Sequence, residues 1–147
     1  MKKISRSAIV EHSAEELYAL VEDIEAYPKF LPWCRETQVH ERSASETRAT
    51  LTVGLSGLRQ SFTTRNENRP GEAIDMRLVE GPFREFTAAW RFSPLPAGAC
   101  RIEFSLQYEF SSRTLGRVLE PLFDRIADTM VDAFARRADE IYGPADR

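Results

Sequence analysis

A chain of 147 residues with a formal net charge of −3 is sized for one domain, residues 1–147. It lacks the basic excess that general binding to DNA or to an anionic membrane would need. With 42% hydrophobic and 29% charged residues the composition is that of a globular protein, and about 68–70% of the unfolded surface should be buried. Seventeen of the 20 basic residues are Arg, which fits recognition of phosphate or carboxylate and equally fits GC-rich codon usage.

The opening stretch, MKKISRSAIVEHS, has a basic start but no apolar core, so no signal peptide is expected. Residues 3–11 read as a first strand. Ser13 and Glu16 form an S-x-x-E capping box, and Leu17, Leu20, Val21 and Ile24 follow at helical spacing, predicting a helix over 13–24. The segment YPKFLPWC, Tyr27 to Cys34, cannot continue that helix because Pro28 and Pro32 interrupt it. It is expected to form a short helix or loop packed on the domain.

From there the period changes to two. Thr47, Ala49, Leu51 and Val53 alternate with polar neighbours, as do Ile74, Met76 and Leu78. So do Phe86, Ala88, Trp90 and Phe92, and Ile102, Phe104, Leu106, Tyr108 and Phe110. This is the pattern of antiparallel strands with one buried face. Residues 35–42 and 58–68 read as weaker strands. Turn residues fall between the runs at Gly54 to Gly57, Arg69-Pro70-Gly71, Gly81-Pro82 and Pro94 to Gly98. A long helix over about 113–142 follows. Its apolar arc holds Leu115, Val118, Leu119, Leu122, Phe123, Ile126, Met130, Ala133, Phe134 and Ile141. Pro121 should kink it or begin a fresh turn, and Gly143-Pro144 should stop it. No βαβ rhythm is present, and no apolar run approaches the roughly 18 residues of a membrane span. The expected class is α+β: a curved antiparallel sheet of about six to seven strands gripping one long C-terminal helix.

A helix across a curved sheet tends to leave space beneath it, and an apolar pocket with few polar groups is the usual form of a small-molecule site. The inward positions Phe86, Trp90, Phe92, Phe104 and Tyr108, with Phe123, Met130 and Phe134 from the helix, are the candidate lining. The same residues also suit a plain packed core. Arg6 and Arg137 break the apolar faces, either to meet a ligand's polar head or to pair with carboxylates. Tyr27, Phe30, Leu31 and Trp33 make the candidate lid, or alternatively a surface for a partner or a membrane interface, or a buried loop covering one end of the core.

Catalysis needs a positioned acid–base pair. Neither His12 nor His40 has an evident carboxylate partner in sequence, and no catalytic residue is assigned. The cysteines Cys34 and Cys100 share no metal-ligand spacing with the histidines, so no metal is expected. The default compartment is the cytoplasm, with reduced thiols.

Four stretches resemble one family: VEDIEAYPKFLPWC from Val21, EGPFREFTAAWRFSPL from Glu80, FSLQYEFSSRTLG from Phe104, and IADTMVDAFARRADEIYG from Ile126. In this order, over about residues 3–143, the chain resembles the coenzyme Q-binding, START-like family. That family is a branch of the polyketide cyclase and lipid-transport superfamily, and its bacterial members are also described as ribosome-association toxins. The resemblance implies a helix-grip fold and a hydrophobic cavity able to take ubiquinone or a related isoprenoid lipid as ligand, with no other cofactor. It implies a non-enzymatic quinone chaperone supporting respiration, with transient contact at the inner membrane. For the toxin-like members it implies binding to the large ribosomal subunit and hindrance of 70S assembly. The signature loop carries over as Tyr27, Pro28, Phe30, Leu31, Pro32, Trp33 and Cys34. Lys29 stands where the family commonly has an acidic residue, which bears on an electrostatic contact and not on the fold.

A quinone or lipid carrier is therefore the first expectation. A ribosome-binding regulator is the second, and it needs a basic face. Residues 57–101 offer Arg59, Arg65, Arg69, Arg77, Arg84, Arg91 and Arg101 against five acids. A cyclase-like enzyme is the third, for which Arg137 beside a tyrosine such as Tyr108 would have to polarise a carbonyl.

Overall fold

The computed structural model describes residues 1–55 and 57–143. Strand β1 (Lys2–Val10) leads into helix α1 (Ala14–Glu22) and a 3₁₀ turn over Ile24–Lys29. Six strands follow: β2 (Cys34–Arg42), β3 (Glu46–Leu55), β4 (Leu58–Arg69), β5 (Ala73–Glu80), β6 (Phe83–Pro94) and β7 (Cys100–Phe110). Helix α2 (Arg113–Tyr142) ends the chain. The seven strands form one antiparallel sheet in the order β1-β7-β6-β5-β4-β3-β2. From β2 to β7 every strand pairs with its sequence neighbour, so only the β1–β7 pairing joins distant parts of the chain.

The capping box at Ser13 forms as the sequence implies. Ser13 Oγ accepts from the Glu16 N–H at 3.0 Å, and Glu16 Oε1 accepts from the Ser13 N–H at 2.9 Å. These two bonds satisfy donors that a helix start otherwise leaves unpaired. The helix stops at Glu22, and the chain turns through a 3₁₀ segment that contains Pro28, a residue that would remove a hydrogen bond from a continued α-helix.

The register sets the buried face. Phe86 faces Tyr108, Ala88 faces Leu106, Trp90 faces Phe104 and Phe92 faces Ile102, and all eight are buried. Bulges at Cys34/Glu36 and Val39/Glu41 in β2, at Thr63/Thr64 between β4 and β5, and at Phe83/Glu85 in β6 bend the sheet, as an extra residue on one strand does. The hollow so formed receives α2 through Leu119, Leu122, Phe123, Ile126, Ala127, Val131, Phe134 and Ala138.

The bounds of α2 match the sequence expectation, with one difference on its apolar face. Val118 and Ile141 are 45% and 50% exposed, because the seam follows the 3.6-residue helical period through Leu119, Ile126 and Ala138 instead of filling a broad arc. Pro121 lies inside one continuous helix. Of the expected stop, Gly143 takes φ 91°, the left-handed region that glycine adopts without penalty. Pro144 lies outside the described residues, as does Ser56 in the β3–β4 turn.

Edge strand β1 makes two ion pairs with α2, beside the packing of Ile4 and Ala8 on the core. Lys2 Nζ meets Asp124 Oδ1 and Arg6 Nη2 meets Asp128 Oδ1, each at 2.7 Å. Asp124 and Asp128 are four residues apart and share one face of α2, and the long Lys and Arg side chains take up the wider spacing along the strand. Arg6 is thus in the inward phase of β1, as its spacing implies, but it is spent on α2. These pairs are exposed, so each contributes at most about 1 kcal/mol.

Candidate functional site

Between the hollow of the sheet and α2 lies a cavity of about 60 Å³. β3 contributes Leu51 and Val53, β4 Phe62, Thr64 and Asn66, and β5 Met76. From β6 come Phe86, Ala88 and Trp90, and from β7 Phe104 and Leu106. Helix α2 adds Phe123, Ile126 and Met130. Ile24, Tyr27 and Trp33 close it from the 3₁₀ segment and the loop after it. Among these residues only Thr64 and Asn66 are neither apolar nor aromatic.

The sequence left open whether these residues enclose a pocket or pack on one another, and the structure leaves only a small space between them. At about 60 Å³ the space is far below the roughly 300–1,000 Å³ of small-molecule sites. The aromatic side chains fill it themselves. Ring centroids of Trp90 lie 5.0 Å from Phe104 and 5.3 Å from Phe134, and Phe62 sits 5.6 Å from Phe86 and 6.0 Å from Phe123. Two larger depressions, of about 650 and 700 Å³, are grooves open to solvent. One lies on the outer face of the sheet and one beside the start of α2.

Of the candidate ligand residues, Tyr27, Trp33, Phe86, Trp90, Phe104, Phe123 and Met130 line the cavity. Phe30, Leu31, Phe92, Tyr108, Phe134 and Arg137 do not. Phe92 packs on Tyr18 and Trp90. Phe134 packs on Tyr27, Phe30 and Trp90, and Leu31 is 1% exposed within the core. Tyr108 lies among Phe83, Phe110 and Phe123. Burial pushes its hydroxyl up to about 12. Arg137 Nη1 meets Glu140 at 3.3 Å and its guanidinium stands 5.0 Å over the Phe30 ring, on a shallow groove toward the end of α2.

The Tyr27–Cys34 segment is not an exposed flap. Tyr27, Leu31, Trp33 and Cys34 are all buried, so the segment plugs one end of the core and its prolines face out. The Tyr27 hydroxyl donates to the Val21 carbonyl, and burial raises its pKa. The indole Nε1–H of Trp33 is buried and has no hydrogen-bond partner among the described residues; the same holds for Asn68 Oδ1 and the Tyr108 hydroxyl.

Sequence reasoning missed Phe62, Thr64 and Asn66 as wall residues. Their strand alternates Phe62, Thr64, Asn66 and Asn68 on the inward side, and the polar members hide the period. Their burial is made tolerable by pairing. Thr64 Oγ1 donates to Asn66 Oδ1 at 2.9 Å, and Asn68 Nδ2 donates to Thr47 Oγ1 at 3.0 Å.

His12 has the carboxylate that the sequence did not reveal. Its Nε2 lies 2.7 Å from Asp139 Oδ1, which joins the β1–α1 corner to the last turns of α2, away from the cavity. His40 is exposed and meets Thr50 Oγ1. Tyr108 lies beside Asp124, and Arg137 stands 13 residues further along α2, roughly 20 Å at the helical rise. The two therefore cannot polarise one carbonyl together.

The basic face is mostly neutralised. Arg65, Arg84, Arg91 and Arg101 pair with Glu46, Glu109, Asp75 and Glu103. Arg59, Arg69 and Arg77 are exposed and have no ion pair among the described residues.

Burial raises both thiols, Cys34 and Cys100, to about 11. The native protein should therefore give no reaction with a thiol reagent at pH 8, and two thiols should react after denaturation. Because the fold favours the protonated thiols, their contribution to stability is intact below the ordinary thiol pKa. It should fade as pH rises through about 9 to 11, which a series of urea melts would read. Rapid native labelling at pH 8 would contradict this placement.

Comparison with known proteins places the chain among relatives. The profile of the family described as polyketide cyclase / dehydrase and lipid transport matches residues 10–135. The chain is 46% identical to the ribosome association toxin RatA of Pseudomonas aeruginosa, over 95% of this chain and 97% of that one. It is 30% identical to the mitochondrial coenzyme Q-binding protein COQ10 homolog B of Xenopus laevis, over 95% of this chain and 59% of that one. Among solved structures, the Zhui aromatase/cyclase of a Streptomyces shares the fold. The TM-score is 0.83 at 17% identity, covering 95% and 94% of the two chains.

Proposed function

Because the chain belongs to the polyketide cyclase / dehydrase and lipid transport family, we propose that it works by binding and not by catalysis. It holds a hydrophobic ligand of the isoprenoid quinone class between α2 and the sheet and supports respiration by carrying it. The observation that carries this reading is the cavity wall, apolar or aromatic at every position but Thr64 and Asn66 and without any acid–base pair. The coenzyme Q-binding relative supports it. A quinone exceeds 60 Å³, so loading requires the wall to open. Met76 and Met130 sit in that wall, and their unbranched side chains repack at little cost. The test is native mass spectrometry with lipid extraction on protein from its own cytosol. A quinone at near one per chain supports the carrier. Protein that stays lipid-free after incubation with quinone-loaded vesicles sinks it.

A second reading, binding to the large ribosomal subunit and hindering 70S assembly, is favoured by the 46% identity to RatA over nearly all of both chains. Its contact surface would include Arg59, Arg69 and Arg77. In a sucrose gradient the protein should then sediment with large subunits and be released by salt, as phosphate contacts are. Failure to sediment with them at low salt excludes this role. The two readings use different surfaces, and one preparation can answer both.

A further inference from the structure

The inner face of the sheet changes character at one end. Toward the β2–β3 and β4–β5 hairpins its inward positions turn polar, and Thr47, Asn66 and Asn68 are all buried there. Polar groups in a closed core cost free energy unless each is hydrogen-bonded, yet Asn68 Oδ1 has no partner among the described residues. With Glu22, these three side chains border a second space of about 20 Å³. Ile24, Tyr27, Asn66 and Met76 line this space and the main cavity alike, so the two adjoin.

Glu22 ties the rim of the second space shut. Its Oε2 accepts from Arg42 Nε at 2.9 Å and from Thr47 Oγ1 at 3.5 Å. Arg42 also donates to both Glu25 carboxylate oxygens, at 2.8 and 2.9 Å, and to the Glu22 carbonyl at 3.1 Å. Arg42 and Thr47 are cross-strand partners at the β2–β3 hairpin. Glu22 ends α1, and Glu25 lies in the 3₁₀ turn. One guanidinium therefore joins the hairpin to the junction of α1 with that turn. Its hydrogen bonds hold the Glu25 carboxyl below the usual range, so the tie is intact at neutral pH. Arg42 is 34% exposed, where salt can reach it.

We propose that this is the mouth of the cavity: the β2–β3 hairpin parts from the α1–3₁₀ junction to admit the ligand, and Arg42 is the latch that keeps it closed. The mouth presupposes the cavity-binding reading and adds the route into it. It also accounts for the polar inner positions. Thr47, Asn66 and Asn68 meet water whenever the mouth opens, which large apolar groups in their place would do only at a cost.

Two readouts on the full chain test the latch. In the first, Asn68→Cys places a thiol at the mouth. Its modification by a thiol reagent at pH 8 should be about three- to tenfold faster when Arg42→Ala is added, the worth of one to two exposed ion pairs. Cys34 and Cys100 should stay protected, which separates local opening from unfolding. Salt should speed the reaction of Asn68→Cys alone and have little effect once Arg42 is gone. In the second, stopped-flow quenching of tryptophan fluorescence follows the binding of decylubiquinone. Arg42→Ala should raise its association and dissociation rates by the same factor and leave Kd unchanged. A latch closed in both the free and the loaded protein alters the barrier and not the difference between the end states.

Equal labelling rates with and without Arg42 would overturn the latch. Faster labelling with unchanged quinone rates would place the ligand's route elsewhere. A weaker Kd at an unchanged association rate would make Arg42 part of the binding site instead. A quinone that does not bind at all would remove the cavity reading, and the mouth with it. Arg42→Ala is a change at the surface, so the second readout stands even where Asn68→Cys does not fold.

Discussion

Trp90→Ala should lower stability by about 3–5 kcal/mol, with the midpoint of thermal unfolding falling by roughly 6–20 °C. Trp90 is 1% exposed and sits at the centre of the sheet's inner face, paired with Phe104 on β7 and Ile74 on β5. Its ring lies 5.0 Å from Phe104, 5.3 Å from Phe134 and 6.0 Å from Phe92. Truncation removes the transfer energy of the indole and the edge-to-face contact with Phe134. It also enlarges a cavity that Trp90 already borders, and neighbouring rings relax into such a space only in part. Urea and thermal melts read the effect. A loss under about 1 kcal/mol would mean that Trp90 does not face α2. Trp33→Ala belongs to the same range for the same reason, its side chain being 3% exposed. A near-neutral result there would restore the idea of a loose lid.

Why the sequence showed some of this and hid the rest follows from what each signal measures. The period of two in β3, β5, β6 and β7 reports one buried face, and that face was found where it was expected. The ends of α2 were legible because the apolar stripe runs unbroken and stops at Gly143. The segment at Tyr27–Cys34 was recognisable as irregular from its prolines, but whether its aromatics point in or out is decided by packing between distant parts of the chain. The same limit hid His12–Asp139, whose partners are 127 residues apart. Residues Phe62, Thr64 and Asn66 escaped because two polar side chains in the inward phase of β4 erase the alternation. The pocket's size was the hardest to read. A row of large aromatic residues has the same pattern whether it encloses a ligand or closes on itself, and the volume left over is a small difference between large packed volumes.

That difference makes Phe123→Ala informative, because it should both destabilise the fold and open the site. Phe123 is 2% exposed, lines the cavity and packs on Phe62, Phe83, Tyr108 and Phe110 at 5.3–6.0 Å. The expected loss is about 3–5 kcal/mol. The variant's space should be dry and apolar, like the engineered cavities of about 150 Å³ that accept benzene. Benzene should therefore recover part of the lost stability in Phe123→Ala, by the mass-action gain of a guest that binds only the folded state. It should do little for the unaltered protein, whose 60 Å³ is too small. Recovery would mean that the space between α2 and the sheet accepts an apolar guest once volume is added. If benzene gives no recovery while the variant is otherwise folded, the neighbouring rings have collapsed into the gap. The wall then behaves as packing, and the weight moves to the outer surface and the ribosomal reading.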